Sequence, residues 1–428
     1  MHGKIKILYK IHREKINLSN VVFIGCPKSY GHFFPTLSII AELIKCGEKV
    51  SYFTSENFKK YIESVGVEFC PYPDMGIYEH TKIELQQSDF FSRFITSCMH
   101  ANEYYKNMEK ATLLTLKNKR VDYILFDESA PWGKNIADAL CVPSICSITK
   151  FAYCDKIFDK YKDIFLDKIF KIPKELYNKY QNYDVFINKL KKSLKIIGRQ
   201  YNKNLEFKSY FSNSGAFNIV YTSKEFQIFG DDFDNTYSFI GPSISYRANK
   251  KSKPTNNRPL IYISFGTADY NIEIFEKCIK AFANKNYDIL ISTGNQFDNK
   301  VFRLLPKNIL AYMFVDQISA LIKADLFISH GGMNSTNEAL LFKTPLLLFP
   351  QRGDQFLVSK RVEELKVGFN LKSENINSSE LYDLAEHAIR DQFIQENCYD
   401  VGHSLSAAGG SKKGISEIIK FKNKFGIS

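Results

Sequence analysis

The sequence predicts an α/β protein of two domains, each built around a parallel sheet. At 428 residues the chain is too long for one ordinary hydrophobic core. Short apolar runs alternate with helix-length segments in both halves, which is the pattern of βαβ units. Between the halves, residues 241–259 are rich in Pro, Asn, Ser and Lys, a composition typical of a linker.

The first half begins with a buried-type strand at residues 21–25 and a helix pattern from Phe34 to Cys46, which Gly47 closes. We assign the first domain to residues 21–240. The basic residues before it, 1–20, hold too short an apolar run for a signal peptide and are interpreted as an extension. Further strands of this half are predicted at residues 49–53, 67–70, 121–126, 143–148 and 217–222.

The second half repeats this organisation, and we assign its domain to residues 260–405. A last helix pattern, at about residues 412–422, places a C-terminal helical segment at residues 406–428. The strands of this half are predicted at residues 260–264, 287–292, 309–312, 326–329 and 345–349.

Composition restricts the class of protein. Hydrophobic residues make up 44% of the chain and charged residues 24%, as in soluble globular proteins. The nine cysteines are scattered and never spaced Cys-x-x-Cys, which argues against a disulfide framework or a structural metal and favours the reducing cytoplasm. No run of about eighteen apolar residues could form a membrane-spanning helix.

The net charge of +12 is concentrated between residues 150 and 210, where fifteen Lys or Arg face seven Asp or Glu. A solvated helix face is the first interpretation of this stretch. Peripheral contact with an anionic membrane is the second. Binding to nucleic acid is not expected, because no nucleic-acid module is recognisable.

The clearest functional pattern lies between residues 325 and 355. A buried-type strand leads into Gly331 and Gly332, and polar residues that favour a helix start follow. Backbone N–H groups at a helix start attract anions, and glycine lets the backbone approach a ligand closely. The pattern therefore predicts a nucleotide-diphosphate site at the carboxyl edge of a parallel sheet. Ser335 and Glu338 also fit a capping box, which would only stabilise the helix start.

A second candidate site follows the first strand. His32 lies at a strand-to-helix turn facing the predicted cleft, and histidine is well suited to accept a proton near neutral pH. A carboxylate partner would orient its ring, and Asp127, after the strand at residues 121–126, is the candidate. Asp122 precedes that strand, at its wrong end, and Glu128 is expected to point elsewhere. A histidine at this place could also merely cap or pack against the helix.

Residues 330–355 resemble the signature box of nucleotide-sugar transferases with the glycosyltransferase-B fold, closest to the bacterial macrolide and antibiotic glycosyltransferases. The resemblance covers about residues 20–420. It implies two facing Rossmann-like domains with a cleft between them. It also implies inverting, metal-independent transfer of a hexose from a UDP-sugar to a hydroxyl of a small hydrophobic acceptor. The donor is then a co-substrate, and no cofactor is expected.

The resemblance also assigns roles to residues. Gly-His-x-x-Pro, from Gly31 to Pro35, is similar to the acceptor-activating loop of the family, in which histidine is the general base. Ser264, Gly266 and Thr267 resemble the loop beside the β-phosphate. In the donor box the resemblance implies that the diphosphate is bound by His330, Gly332, Asn334 and Ser335, the ribose by Glu338, and the sugar hydroxyls by Asp354 and Gln355.

The nucleobase contact departs from the family pattern. Phe314, Val315, Asp316 and Gln317 occupy the place of Trp-x-Pro-Gln, whose Trp stacks on uracil. Phe314 can still stack, with less area, so UDP is favoured and TDP stays open. Gln355 resembles glucose-using members, which favours UDP-glucose.

Two other hypotheses stay open at this point. One is a nucleotide-sugar epimerase of the same fold, and the other is a membrane-associated or nucleic-acid-associated binding module without transferase activity. The Asp232-Phe233-Asp234 triplet resembles a metal-binding motif of other glycosyltransferases, but its acidic loop favours a solvated turn, and we expect no metal there.

Overall fold

The structure is a computed structural model. It describes residues 19–27, 29–73, 90–172, 213–244, 258–266, 272–296, 298–372 and 375–427, with scattered single positions between 175 and 196 and with the backbone alone at residues 90–100. Three predictions lie outside the described residues, in whole or in part. They concern the extension before residue 19, the linker between residues 245 and 257, and much of the basic stretch after residue 172.

The first half forms one parallel sheet of seven strands in the order β3-β2-β1-β4-β5-β6-β7. Central strands β1 and β4 are direct neighbours, with Ile24 opposite Phe126. The strands are β1 Asn20–Ile24, β2 Lys49–Thr54, β3 Glu68–Pro71, β4 Tyr123–Asp127, β5 Ser144–Ile148, β6 Phe217–Val220 and β7 Tyr237–Phe239.

The second half forms a parallel sheet of six strands in the order β10-β9-β8-β11-β12-β13. The prediction of an α/β fold with two parallel sheets is confirmed, whereas the edge strands β7 and β13 were not predicted. These strands are β8 Leu260–Ser264, β9 Asp288–Ser292, β10 Ile309–Tyr312, β11 Leu326–Ser329, β12 Leu346–Leu348 and β13 Gly368–Asn370.

Helices cover both faces of the two sheets. They are α1 Tyr30–Lys45, α2 Lys59–Ser64, α3 Phe90–Leu116, α4 Trp132–Ala139, α5 Asp155–Lys160, α6 Ile272–Phe282, α7 Gln317–Leu321, α8 Met333–Leu341, α9 Gln355–Glu364, α10 Ser378–Arg390, α11 Gln392–Ala407 and α12 Gly410–Lys424. A π-helical turn spans Ile164–Ile169. In the described part of the chain, no helix has the length and apolar character needed to span a membrane.

Helix α1 begins four residues before its predicted start, so it includes His32, and Pro35 lies more than a turn inside it. Proline has no backbone N–H and cannot bond the carbonyl four residues earlier, which here belongs to Gly31. That carbonyl instead accepts a hydrogen bond from the side-chain amide of Asn334, on helix α8 of the second half. The proline therefore makes a backbone acceptor available to the opposite half of the molecule.

The two halves share apolar packing as well. One buried cluster combines Phe158, Phe165 and Phe226 of the first half with Phe327 and Leu340 of the second. Burial of large aromatic and aliphatic side chains is the main favourable term in such contacts. The halves are therefore held by a common core beside the cleft.

The last helix returns to the first half. Helix α12 packs on α1, where an added Cβ at Gly414 would lie 2.9 Å from a side-chain atom of Ile39. Lys422 of this helix forms a buried ion pair with Glu48, whose carboxylate also accepts from Ser19. The chain end therefore stabilises the domain in which the chain began.

Candidate active site

His32 and Asp127 meet at the carboxyl edge of the first sheet. The His32 Nδ1 atom lies 2.9 and 3.0 Å from the two carboxylate oxygens of Asp127. The backbone N–H of Ser129 donates to the same carboxylate at 2.8 Å. With Nδ1 donating to the carboxylate, Nε2 is the nitrogen that can accept a proton. The His32 side chain is 13% exposed and that of Asp127 is 1% exposed, so the histidine of this buried pair keeps some access to solvent.

The prediction that the Glu128 side chain points away from His32 is wrong. Its Oε1 atom lies 3.8 Å from His32 Nδ1, and Oε2 accepts from the backbone N–H of Thr149 at 2.8 Å. The Thr149 hydroxyl lies 3.0 Å from His32 Nδ1 and 3.2 Å from Glu128 Oε1. The end of strand β4 turns both acidic side chains toward the same histidine, because Thr149 at the end of β5 anchors the second. Asp122, as predicted, lies at the other end of β4, where it accepts from the backbone of Asn20.

The surrounding charges control protonation of the histidine. Burial and the nearby Lys150 lower the pKa of His32, but the negative charges of Asp127 and Glu128 outweigh them, so the pKa lies above 6.5. Burial and the charge of Asp127 raise the pKa of Glu128. The cluster therefore favours an imidazolium once a proton has been accepted, which is the requirement for a general base.

Lys150 is a functional candidate that the sequence analysis missed. It lies two residues after the end of strand β5, and its Nζ atom donates to the Ser129 hydroxyl at 3.3 Å. Burial lowers its pKa, but the charges of Glu128, Asp354 and Asp127 raise it overall. Lys150 is therefore a cation between carboxylates of both halves. Its position after a parallel strand was the signal available in the sequence.

The opposite wall of the cleft is built around His330. Burial and the charge of Arg352 lower the pKa of this histidine to about 4, although a hydrogen bond to the Ser264 backbone acts in the other direction. His330 is therefore neutral near pH 7, with a single ring N–H that donates to the Ser264 carbonyl in this structure. An added Cβ at Gly332 would lie 2.4 Å from His330 Nε2, and at Gly266 3.2 Å from His330 Cε1. Gly332 therefore leaves the ring the space that a side chain would occupy, and a side chain at Gly266 would contact the ring tightly.

Helix α8 presents its N-terminus to the cleft. Gly332 is the N-cap, with no side-chain cap, so the alternative capping box of Ser335 and Glu338 does not form. The helix begins at Met333, before the polar residues, because the Gly332 carbonyl already accepts from the Thr336 N–H at 3.0 Å. Asn334 in its first turn donates to Gly31, next to His32. The predicted diphosphate site and the predicted base are thereby brought together.

The predicted ribose ligand is fixed by a neighbour. Glu338 is 3% exposed, and Gln317 donates to its carboxylate at 2.6 Å and to the Ser335 hydroxyl at 3.2 Å. Gln317 begins helix α7, which Asp316 caps by accepting from the Ser319 N–H at 3.3 Å. Aspartate therefore has a structural role where the family pattern has proline. Phe314 is 67% exposed, and Val315 packs against the shared core.

The other predicted donor residues lie on two loops of the second sheet. Ser264 ends strand β8, and its carbonyl accepts from the Ser329 hydroxyl at 2.9 Å. Gly266 has φ +82°, a value that favours glycine, and Thr267 lies outside the described residues.

The predicted sugar ligands lie at the start of helix α9. Gln355 is buried, and its side-chain oxygen accepts from the backbone N–H groups of Gln351 and Arg352 at 2.9 and 3.2 Å. Asp354 is partly buried at the helix start and interacts electrostatically with Lys150 across the cleft. The Asp232-Phe233-Asp234 triplet lies in an exposed turn, as predicted.

Asn337, to which the sequence analysis gave no role, joins the halves from the buried side of helix α8. Its side-chain amide donates to the Tyr221 carbonyl at 3.1 Å and its oxygen accepts from the Thr222 hydroxyl at 3.0 Å. Buried side-chain amides with both ends bonded define geometry closely, because leaving either end unpaired is costly. Helix α8 is thereby fixed to the end of strand β6.

Comparisons with known proteins agree with this architecture. The family "Erythromycin biosynthesis protein CIII-like, C-terminal domain" matches residues 276–412. The chain is 30% identical over 410 residues to "NDP-glycosyltransferase YjiC" of Bacillus subtilis, covering 93% of this chain and 96% of that protein. It is 29% identical over 413 residues to "Uncharacterized UDP-glucosyltransferase YojK" of the same species, with coverages of 94% and 97%.

Solved structures show the same fold. The structure of CalG4, the calicheamicin glycosyltransferase, superposes with a TM-score of 0.79 at 20% identity, over 95% of this chain and 99% of that one.

Proposed function

The chain belongs to the macrolide-type UDP-glycosyltransferases of the glycosyltransferase-B fold, and on that premise we propose that it moves a hexose from a UDP-sugar to a hydroxyl of a small hydrophobic acceptor. The observation that carries the proposal is the hydrogen bond between Asn334 and Gly31. It brings a helix N-terminus suited to a diphosphate next to a histidine suited to deprotonate an alcohol.

The reaction starts at the first half of the cleft. His32 Nε2 takes the proton of the acceptor hydroxyl while Asp127 holds Nδ1 and stabilises the resulting imidazolium. The oxygen attacks the anomeric carbon from the face opposite the nucleoside diphosphate. The bond from that carbon to the diphosphate oxygen breaks in the same step, so the configuration at the anomeric carbon inverts.

The second half receives the departing diphosphate. The N–H groups at the start of α8 donate to its oxygens, and we propose that the single ring N–H of neutral His330 moves from the Ser264 carbonyl to the diphosphate when the donor binds. Preorganised donors of this kind stabilise charge that develops in a transition state, and we propose that they do so without a metal ion. Glu338 and Gln317 bind the ribose, and Asp354 and Gln355 bind the sugar hydroxyls.

The identity of the nucleotide in the donor depends mainly on one proposed contact, the stacking of Phe314 on the base. Phe314 gives the base a stacking surface that is smaller than tryptophan. We propose UDP-glucose as the donor, with TDP-sugars as the competing choice, and a reduced cytosolic location, because the eight cysteines that the structure describes are thiols.

For the basic stretch at residues 150–210, ion pairs favour the interpretation as a solvated helix face over contact with an anionic membrane. Lys156 pairs with Asp232 at 3.1 Å, and Lys160 pairs with Glu364 at 3.0 Å. Paired lysines offer less charge to an anionic surface than unpaired ones.

The proposal is tested with a matrix of UDP- and TDP-sugars against a mixed acceptor library, read by mass spectrometry, with and without a chelator. We expect a hexosylated acceptor with UDP-glucose, an inverted anomeric centre by NMR, and no effect of the chelator. Conversion of the donor sugar in the absence of any acceptor would instead support an epimerase.

A further inference from the structure

The proposed base and two neighbouring side chains form a possible set of metal ligands. The Cys26 sulfur, a ring nitrogen of His32 and a carboxylate oxygen of Asp127 all lie within 4.8 Å of one another. Sulfur, imidazole nitrogen and carboxylate oxygen are the ligand types that bind zinc in proteins. The juxtaposition is not visible as a spacing in the sequence, because the residues come from two different strand ends.

The backbone holds these ligands in place. Cys26 lies two residues beyond Ile24 at the end of β1, beside the end of β4 that carries Asp127. The Cys26 carbonyl accepts from the Thr54 hydroxyl at 3.0 Å, and the preceding Gly25 N–H donates to Phe53 at 2.9 Å. A ligand set on anchored strand ends needs little rearrangement to bind an ion.

The spacing suits a tetrahedral ion. Zinc lies about 2.3 Å from sulfur and about 2.0 to 2.2 Å from nitrogen or oxygen, which separates its ligand atoms by about 3.3 to 3.6 Å. A contraction of at most about 1.2 to 1.5 Å from the 4.8 Å limit of the cluster reaches that geometry. Magnesium and calcium require six or more oxygen ligands, which this set does not provide.

We propose that Cys26, His32 and Asp127 form an inhibitory site for zinc and similar thiophilic divalent ions. A bound ion occupies the imidazole and the carboxylate that together accept the acceptor proton. Binding also requires the Cys26 thiol to release its proton as the metal–sulfur bond forms. The ion-binding site stands by itself, whereas the inhibition rests on the proposed function.

The test uses the purified full-length chain, with Cys26→Ser as the variant and Cys141→Ser as the matched control, because Cys141 is exposed and is not among the three ligands. Cadmium binding without substrates is followed by its thiolate charge-transfer absorption. Inhibition of transfer by zinc, magnesium and calcium is measured on the same three proteins, with nucleotide binding as a check of folding.

We expect wild type and Cys141→Ser to bind about one equivalent of cadmium with thiolate absorption, and Cys26→Ser to lose it. The zinc concentration that halves transfer should rise at least about tenfold in Cys26→Ser, with magnesium and calcium inert in all three. Unchanged zinc sensitivity or unchanged cadmium absorption in Cys26→Ser would overturn the proposal. If no substrate pair supports transfer, the cadmium titration still decides on the site, while the proposed function alone fails.

Discussion

The residues around His32, here called the charged wall, and those around His330, here called the neutral wall, affect their histidines in opposite ways. The wall around His32 is rich in charge, with Asp127 and Glu128 raising the pKa of the histidine and Lys150 acting against them. The wall around His330 keeps its histidine neutral, with a pKa of about 4, and gives it room through Gly332. A site that accepts a proton uses formal charges, whereas a site that binds an anion uses aligned N–H groups and space.

The largest effect should come from removing the proton acceptor of the charged wall. His32→Ala should lower kcat about 10² to 10⁴-fold, the usual contribution of a general base. UDP binding, measured by calorimetry, should stay near the wild-type value, because the neutral wall is intact. Transfer at the wild-type rate would show that the charged wall does not handle the proton.

Asp127→Asn tests how the charged wall sets the pKa. Removing the carboxylate removes the largest influence that raises the pKa of His32, so the acid limb of the pH–rate profile should move to lower pH. The maximum rate should fall on the order of 10²-fold, because the ring loses its orientation and its counter-charge. Asp122→Asn, at the other end of β4, is the matched control, and its acid limb should stay in place.

Gly332→Ala tests the space in the neutral wall. Gly332 has φ −65°, which alanine adopts easily, so any effect comes from the contact of the new Cβ with His330. UDP binding should weaken about 10 to 100-fold, as expected for loss of a charge-assisted hydrogen bond. In a His330→Ala background the same substitution should cost little more. A full additional loss there would assign the effect to something other than the histidine.

Lys150→Met should shift the acid limb of the pH–rate profile in the opposite direction from Asp127→Asn. Lys150 lowers the pKa of His32, so its removal should move the acid limb to higher pH, with transfer about tenfold slower at neutral pH. Lys156→Met removes an exposed lysine of similar charge and should leave the profile unchanged. A shift of equal size in both variants would point to net charge rather than to Lys150.

Phe314→Trp should have the smallest effect of these substitutions and should strengthen binding of the donor. The larger ring adds stacking area, so KM for a UDP-sugar should fall about two- to fivefold with kcat unchanged. UDP- and TDP-sugars compared on the same variant separate stacking from base recognition. An increased KM for both donors would place the base elsewhere.

Much of the fold could be predicted from the chain because short apolar runs that alternate with helix patterns indicate most of its strands. Strands β8, β10 and β11 match the predicted ranges. Strands β7 and β13 escaped prediction because each has three residues at a sheet edge, too few to establish a period.

The site was harder to predict from the sequence than the fold. The pairing of His32 with Asp127 could be anticipated from strand ends and resemblance. The direction of Glu128 depends on Thr149, and the importance of Lys150 depends on charges from both halves. Such directions are set by tertiary neighbours, which no local pattern encodes. The early start of α1 was missed because the apolar pattern that indicated the helix begins at Phe34, whereas the helix begins at Tyr30, with Pro35 a turn inside.

The carbonyl of Gly31, left without its helical partner by Pro35, has a kinetic consequence. Because it accepts from Asn334, helix α8 of the proposed diphosphate site is hydrogen-bonded to helix α1, which carries the proposed base. A donor that settles on the start of α8 would therefore also set the place of His32, before an alcohol arrives. Such a molecule should follow an ordered sequence of substrate addition, with the nucleotide sugar entering first and the nucleotide leaving last.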